Sequence, residues 1–165
     1  MPLQLSLPSP ASADLLATRT PQRARHDIKL RVTTVQSATR ITPHMVRVVV
    51  HSQDLAGFTS LGFDDHVKLL FPDASGQLQL PAPGSEGLPL ELREKMRDYT
   101  PTQYDAQANT LTIDFAVHDA GPARAWAPQA APGQHLGMAG PRGSFIIPTA
   151  FDGHLLIGDD AALPA

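Results

Sequence analysis

The stretch TLTIDFAVH, residues 110–118, has the cleanest period of two in the chain. Leu111, Ile113, Phe115 and Val117 fall on one face, and Thr112, Asp114, Ala116 and His118 on the other. This is the pattern of an antiparallel strand with one face on a core and one away from it. Less regular β-branched runs stand upstream. IKLRVTTVQ (28–36) and HMVRVVVHS (44–52) read as neighbouring antiparallel strands separated by SATRITP, and DHVKLLFP (65–72) as a third strand ended by Pro72. RDYTPTQYD supplies a fourth over 97–104. TLTIDFAVH is the fifth, and QHLGMAGPRGSF (134–145) a sixth, closed by a Gly-Pro-Arg-Gly turn. Six short strands at regular spacing predict a mainly β fold, a closed or nearly closed antiparallel barrel.

Working outward, PDASGQ and PAPGSEGLP place turn chemistry across residues 73–95, an excursion over the surface that can cover a ligand. In GPARAWAPQAAPG, Gly121 can cap and Pro122 suits a first helical position, while Pro128 limits the helix to a turn or two. Residues 1–27 carry Pro, Ser and Ala without periodicity and read as a disordered leader. The barrel is expected over 28–150. From 151 to 165 the chain changes character: HLLIGDDAALPA reads as an apolar strand and a strand-to-helix turn, the start of a truncated α/β domain.

Composition narrows the function. With 165 residues the chain has room for one ordinary domain plus tails, and 16 prolines and 12 glycines argue against long helices. A net charge of -3 gives no global reason to expect a nucleic-acid partner. Arg19, Arg23, Arg25, Lys29 and Arg31 oppose only Asp27 locally, and such a basic arm usually is a solvated tail. The absence of cysteine removes disulfides, iron–sulfur ligation and thiol catalysis. The N-terminal stretch makes a poor signal peptide and no apolar run reaches membrane-spanning length, so a reducing cytoplasm is the expected compartment.

A dinucleotide flavin needs cations and backbone donors for its pyrophosphate and a flat surface for its ring. Arg97 can clamp a phosphate, Tyr99 on the same strand face can stack a ring, and Thr100 can offer a hydroxyl. The turn Gly121-Pro122-Ala123 exposes N–H groups at a helix start. Taken singly, each has a plainer reading: a surface cross-strand ladder, a helix start, and Trp126 as a core anchor.

In order, however, the motifs from RDYTPTQYD through DFAVHDAGPARAW to GPRGSF resemble the flavin-binding domain of the siderophore-interacting protein family, the ferric-siderophore reductases related to ferredoxin-NADP reductases. The resemblance covers about residues 28–165 and implies a six-stranded Greek-key barrel holding FAD. It implies Arg97 at a flavin phosphate, Tyr99 against the isoalloxazine, Thr100 near its N5 region, and Asp114, Phe115 and His118 beside the flavin. Gly121, Pro122 and Ala123 then fall at the pyrophosphate, with Trp126 either in the core or at the adenine. Two departures stand out: Thr102 where many relatives have arginine, and Arg124 where they often have serine or threonine.

The implied activity is reduction of Fe(III) in a siderophore, with electrons from NADPH, NADH or ferredoxin, and release of Fe(II). Lys68 and Arg142 are candidates for docking an anionic ferric complex, although such residues are commonly only solvated. No metal site is expected, since His66, His118 and His135 could converge only through the fold. Three alternatives stay open: a non-catalytic flavin-binding fragment, a reductase of the same superfamily acting on another acceptor, and a barrel used purely for protein or RNA contact.

Overall fold

The computed structural model describes residues 17–81, 89–117, 122–159 and 161–164. Nine strands follow one another: β1 (Gln22–Arg25), β2 (Leu30–Thr42), β3 (Met45–His51), β4 (Val67–Leu70), β5 (Arg97–Tyr99), β6 (Pro101–Asp105), β7 (Thr110–Ala116), β8 (His135–Ala139) and β9 (Gly143–Ile146). Two short helices interrupt them, α1 (Leu90–Lys95) and α2 (Pro122–Trp126). Seven strands form one sheet in the order β5-β4-β8-β2-β3-β7-β6, with every pairing antiparallel.

The edges of this sheet explain the stretch RDYTPTQYD. Its first part, β5, pairs with β4, while its second part, β6, pairs with β7 at the opposite edge. Thr100 stands between the two as the corner. One segment therefore supplies both edge strands and curls the sheet into a half-barrel, whose two edges are joined by the chain at Thr100 and not by a strand pairing. Pro101 suits the corner because it donates no backbone hydrogen bond, and the register slips between Pro101 and Gln103.

The inward face of β7 carries the core. Leu111, Ile113 and Phe115 are all 0% exposed and pack with Val46, Val48, Val50, Val67, Leu69, Leu136 and Met138. β2 is longer than the sequence suggests. SATRITP is not a loop but its second half, because only Pro43 breaks the β-branched run, and Pro43-His44 alone turns the chain into β3. Thirteen residues let β2 pair with β8 at one end and β3 at the other.

Residues 73–96 are no plain excursion. Leu90–Lys95 form a turn and a half of helix with Glu91 in the first turn and Arg93 and Lys95 in the last, which complements the helix dipole. Leu92 and Met96 cover Leu70 and Ala139, making a second small cluster on the outside of the sheet. Gly137 leaves room for its cross-strand partner Leu70, since a Cβ there would sit 3.2 Å from Leu70 Cβ.

Two further expectations change. The strand β1 lies inside the stretch read as a leader, and it pairs with β9 over four residues, from Gln22↔Ile146 to Arg25↔Gly143. At the other end, residues 153–159 form no strand, and Leu155, Leu156 and Ile157 are 84%, 73% and 88% exposed. A parallel strand forms only against a neighbour, and no neighbour is offered to this run by the described residues.

Candidate functional site

The barrel corner brings Arg97, Tyr99 and Thr100 to one place. Arg97 is exposed, and its Nη1 donates to the carbonyls of Glu94 and Met96 at 2.7 and 2.8 Å. The end of α1 thus anchors the guanidinium by one nitrogen. Nη2 and Nε have no acceptor among the described residues, so a fork of donors stays open to an anion.

Tyr99 is half-buried, and its ring lies on an aromatic floor. Its centroid is 4.6 Å from that of Phe115 and 6.2 Å from that of Phe71, and Trp126 stands 5.5 Å from Phe71 and 5.6 Å from Phe115. All contacts are tilted or edge-on, the arrangements aromatic quadrupoles prefer. Burial pushes the Tyr99 phenol up to about 12, with the Arg97 charge pulling weakly the other way.

The phenol is therefore neutral throughout the physiological range. The stabilising effect of keeping it protonated is fully present below the ordinary tyrosine value near 10 and is lost as pH rises towards 12. An alkaline titration followed by phenolate absorbance should show a tyrosine ionising about two units late, and Tyr99→Phe should remove that step. A Tyr99 step at the ordinary value would mean that the ring is not held in the floor.

The structure separates residues that the sequence groups together. Phe115, Trp126 and Ala123 are all buried in the core cluster on which the Tyr99 ring packs. Trp126 Nε1 is buried and has no hydrogen-bond partner among the described residues. Asp114 points out of the barrel on the other face of β7. There Arg47 grips it with two bonds, Nε to Oδ1 at 2.8 Å and Nη2 to Oδ2 at 2.7 Å. Its carboxylate is committed to a cross-strand ion pair at the register pair Arg47↔Asp114. A lone arginine in HMVRVVVHS and a lone aspartate in TLTIDFAVH are the signal for that pair.

Pro122 opens α2, and Ala123 follows it inward. His118 and Gly121 lie outside the described residues. Lys68 Nζ is 2.6 Å from Asp98 Oδ1, both half-exposed, so its charge is already matched. Arg142 lines a different cleft, of about 620 Å³, with Arg23, Arg25 and His66. His135 Nδ1 meets Thr34 Oγ1 at 3.2 Å, and no group of three His, Asp or Glu among the described residues could hold a metal ion. None of the helices among the described residues is long and apolar enough to cross a membrane.

A curled antiparallel sheet whose edges meet at an Arg-x-Tyr-Thr corner beside an aromatic floor suits a flavin-binding domain, and the family match is to one. More narrowly, residues 34–145 match the siderophore-interacting FAD-binding domain, and the chain belongs to that family. It is 44% identical over 149 residues to the NADPH-dependent ferric-chelate reductase of Escherichia coli (strain K12), covering 89% of this chain and 58% of that protein. It is 40% identical over 128 residues to the ferric vibriobactin reductase ViuB of Vibrio cholerae, covering 76% and 47%. The crystal structure of a siderophore utilization protein from T. fusca superposes with a TM-score of 0.69 at 43% identity, over 78% of this chain and 51% of that one. The chain spans about half the length of the curated relatives it matches.

FAD is the cofactor of this fold, and the residues present suit it. An anchored arginine with donors unspent among the described residues stands two residues from a neutral, half-buried tyrosine ring, and the buried Trp126 indole N–H has no partner among those residues.

Proposed function

We propose that the chain is the flavin-binding part of an FAD-dependent ferric-siderophore reductase, acting in the cytoplasm with NADPH, NADH or ferredoxin as electron donor. The observation that carries this reading is the Arg97-Tyr99-Thr100 corner on its aromatic floor, in a chain of the siderophore-interacting family. When bound, FAD accepts two electrons and passes them on singly, which suits a one-electron acceptor such as Fe(III). Iron reduced to Fe(II) is held less tightly by hard oxygen chelators and leaves.

The protein's own residues then bind and orient. Arg97 meets a phosphate with Nη2 and Nε, its position preset by Glu94 and Met96. Tyr99 offers a ring face without charge, and Thr100 a hydroxyl at the corner. Electron transfer asks for no general acid or base. The names of the relatives, one for a ferric chelate and one for ferric vibriobactin, support a ferric complex as acceptor. A non-catalytic flavin-binding module is the second reading, supported by the family's description, which names FAD binding and siderophore interaction but no reaction.

Gel filtration with added FAD tests the site. Arg97→Ala should weaken flavin binding about 10- to 100-fold, the worth of a charge-assisted hydrogen bond. Tyr99→Ala should weaken it too, whereas Asp114→Asn, on the opposite face, should change it by less than about threefold. Reduction of a ferric siderophore by the loaded chain with a chemical electron donor then separates the two readings. A folded chain that retains no flavin would sink both.

A further inference from the structure

Among the described residues the N-terminal arm supplies the strand that pairs with β9, and the loop at Leu61 and Asp65 holds Ser144 beside it. The seven-stranded sheet ends without it, and β1 is its single strand partner among the described residues. The contacts continue on both sides of the four paired residues. The His26 amide donates to the Arg142 carbonyl at 3.0 Å, and His26 Nε2 is 2.7 Å from Ser144 Oγ. Ser144 hands its own proton to buried Asp65, so the imidazole Nε2 is the donor in that bond. Within the paired stretch, the Arg23 guanidinium lies 4.9 Å over the ring of its partner Phe145. Arg19 Nε donates to the Ala150 carbonyl at 3.1 Å, its guanidinium lies 5.7 Å from the Phe151 ring, and Nη2 stands 3.8 Å from Asp152.

We propose that residues 19–26 are a strap that holds the exit segment 142–152, so that the arm, and not the barrel sheet, sets the path by which the chain leaves the flavin-binding barrel. The basic residues read from sequence as a solvated tail are its fastenings: Arg19 and Arg23 each lie over an aromatic ring of the exit segment. Gly143 is what lets the two strands close. A Cβ there would sit 2.6 Å from the Ala24 carbonyl oxygen, a distance side chains do not adopt. Beyond the strap, the apolar run Leu155-Leu156-Ile157 is exposed, so the strap is the last firm hold before it. Loosening the arm widens the range of positions that run can take while leaving the core untouched.

Hydrogen exchange on the whole chain tests this, with or without FAD, and so stands apart from the flavin reading. Two variants loosen the strap from opposite sides: Arg19→Ala with Arg23→Ala in the arm, and Gly143→Ala in β9. In both, the amides of residues 143–146 and 150–152 should exchange about tenfold faster or more, with those of β3 and β7 within about twofold of the parent. Unchanged exchange at 143–146 in both variants overturns the proposal. So does equal acceleration across β3 and β7, because the arm would then be part of the barrel's own cooperative unit.

Discussion

Phe115→Ala should lower the unfolding free energy by about 3–5 kcal/mol and release bound flavin as well. The ring is wholly buried and touches the three other rings of the floor, with centroids 4.6 Å from Tyr99, 5.6 Å from Trp126 and 6.3 Å from Phe71. Truncation removes the transfer energy of the ring and leaves a cavity between two strands that the sheet cannot close. Tyr99 would lose its nearest support and tilt inward, so flavin affinity should fall even at temperatures where the barrel is intact. Phe115→Leu keeps most of the volume and should cost only about 1–1.5 kcal/mol, which allows flavin binding to be read in a folded variant. Urea unfolding gives the first number and flavin retention the second. A loss below about 1 kcal/mol for Phe115→Ala would show that the floor is not packed as described.

Arg31→Met should cost about 2–4 kcal/mol, although methionine preserves the stem and removes a buried charge. Arg31 points into the barrel end and is only 5% exposed. Its Nε donates to the Asp54 carbonyl at 2.8 Å, and Nη1 donates to the carbonyls of Gly140 at 2.7 Å and Lys29 at 3.3 Å. The guanidinium also lies 5.6 Å over the Phe58 ring. Desolvation lowers its affinity for the proton, partly offset by Asp54 and Tyr104, and a guanidinium nevertheless keeps its charge. Burying that charge has a cost, which methionine would recover. The larger effect is the orphaning of carbonyls from three separate segments, each worth about 1–3 kcal/mol if left dry. Arg31→Lys should not rescue, since one ammonium cannot reach carbonyls spread over a planar fork. If Met and Lys both unfold at the parent's urea midpoint, the arginine is not the fastening of this end.

Much of the barrel is legible in the sequence because alternation is local. A strand with one face in a core must repeat every two residues, and Leu111, Ile113 and Phe115 do so and are all buried. The order of motifs from Arg97 to Phe145 likewise points to the flavin-binding family without any coordinates, and the match over residues 34–145 bears this out. Alternation says which face is apolar but not what the face meets. In β2 the buried positions are Arg31, Thr33 and Val35, while Leu30 and Val32 turn outward, because the barrel end presents carbonyls that need donors.

The sequence by itself thus determined a β barrel, its core strand, and the residues Arg97, Tyr99 and Thr100 as a group. Only the tertiary structure decided that these three form the corner joining the two edges of the sheet, that Asp114 belongs to Arg47 on the far face, that Phe115 and Trp126 are buried in the core, and that β9 pairs with a basic arm. Spacing along a chain records what one residue does to its near neighbours. Strand partners lie scores of residues apart, and which of two opposite charges or rings meet is set by the register that the whole sheet adopts.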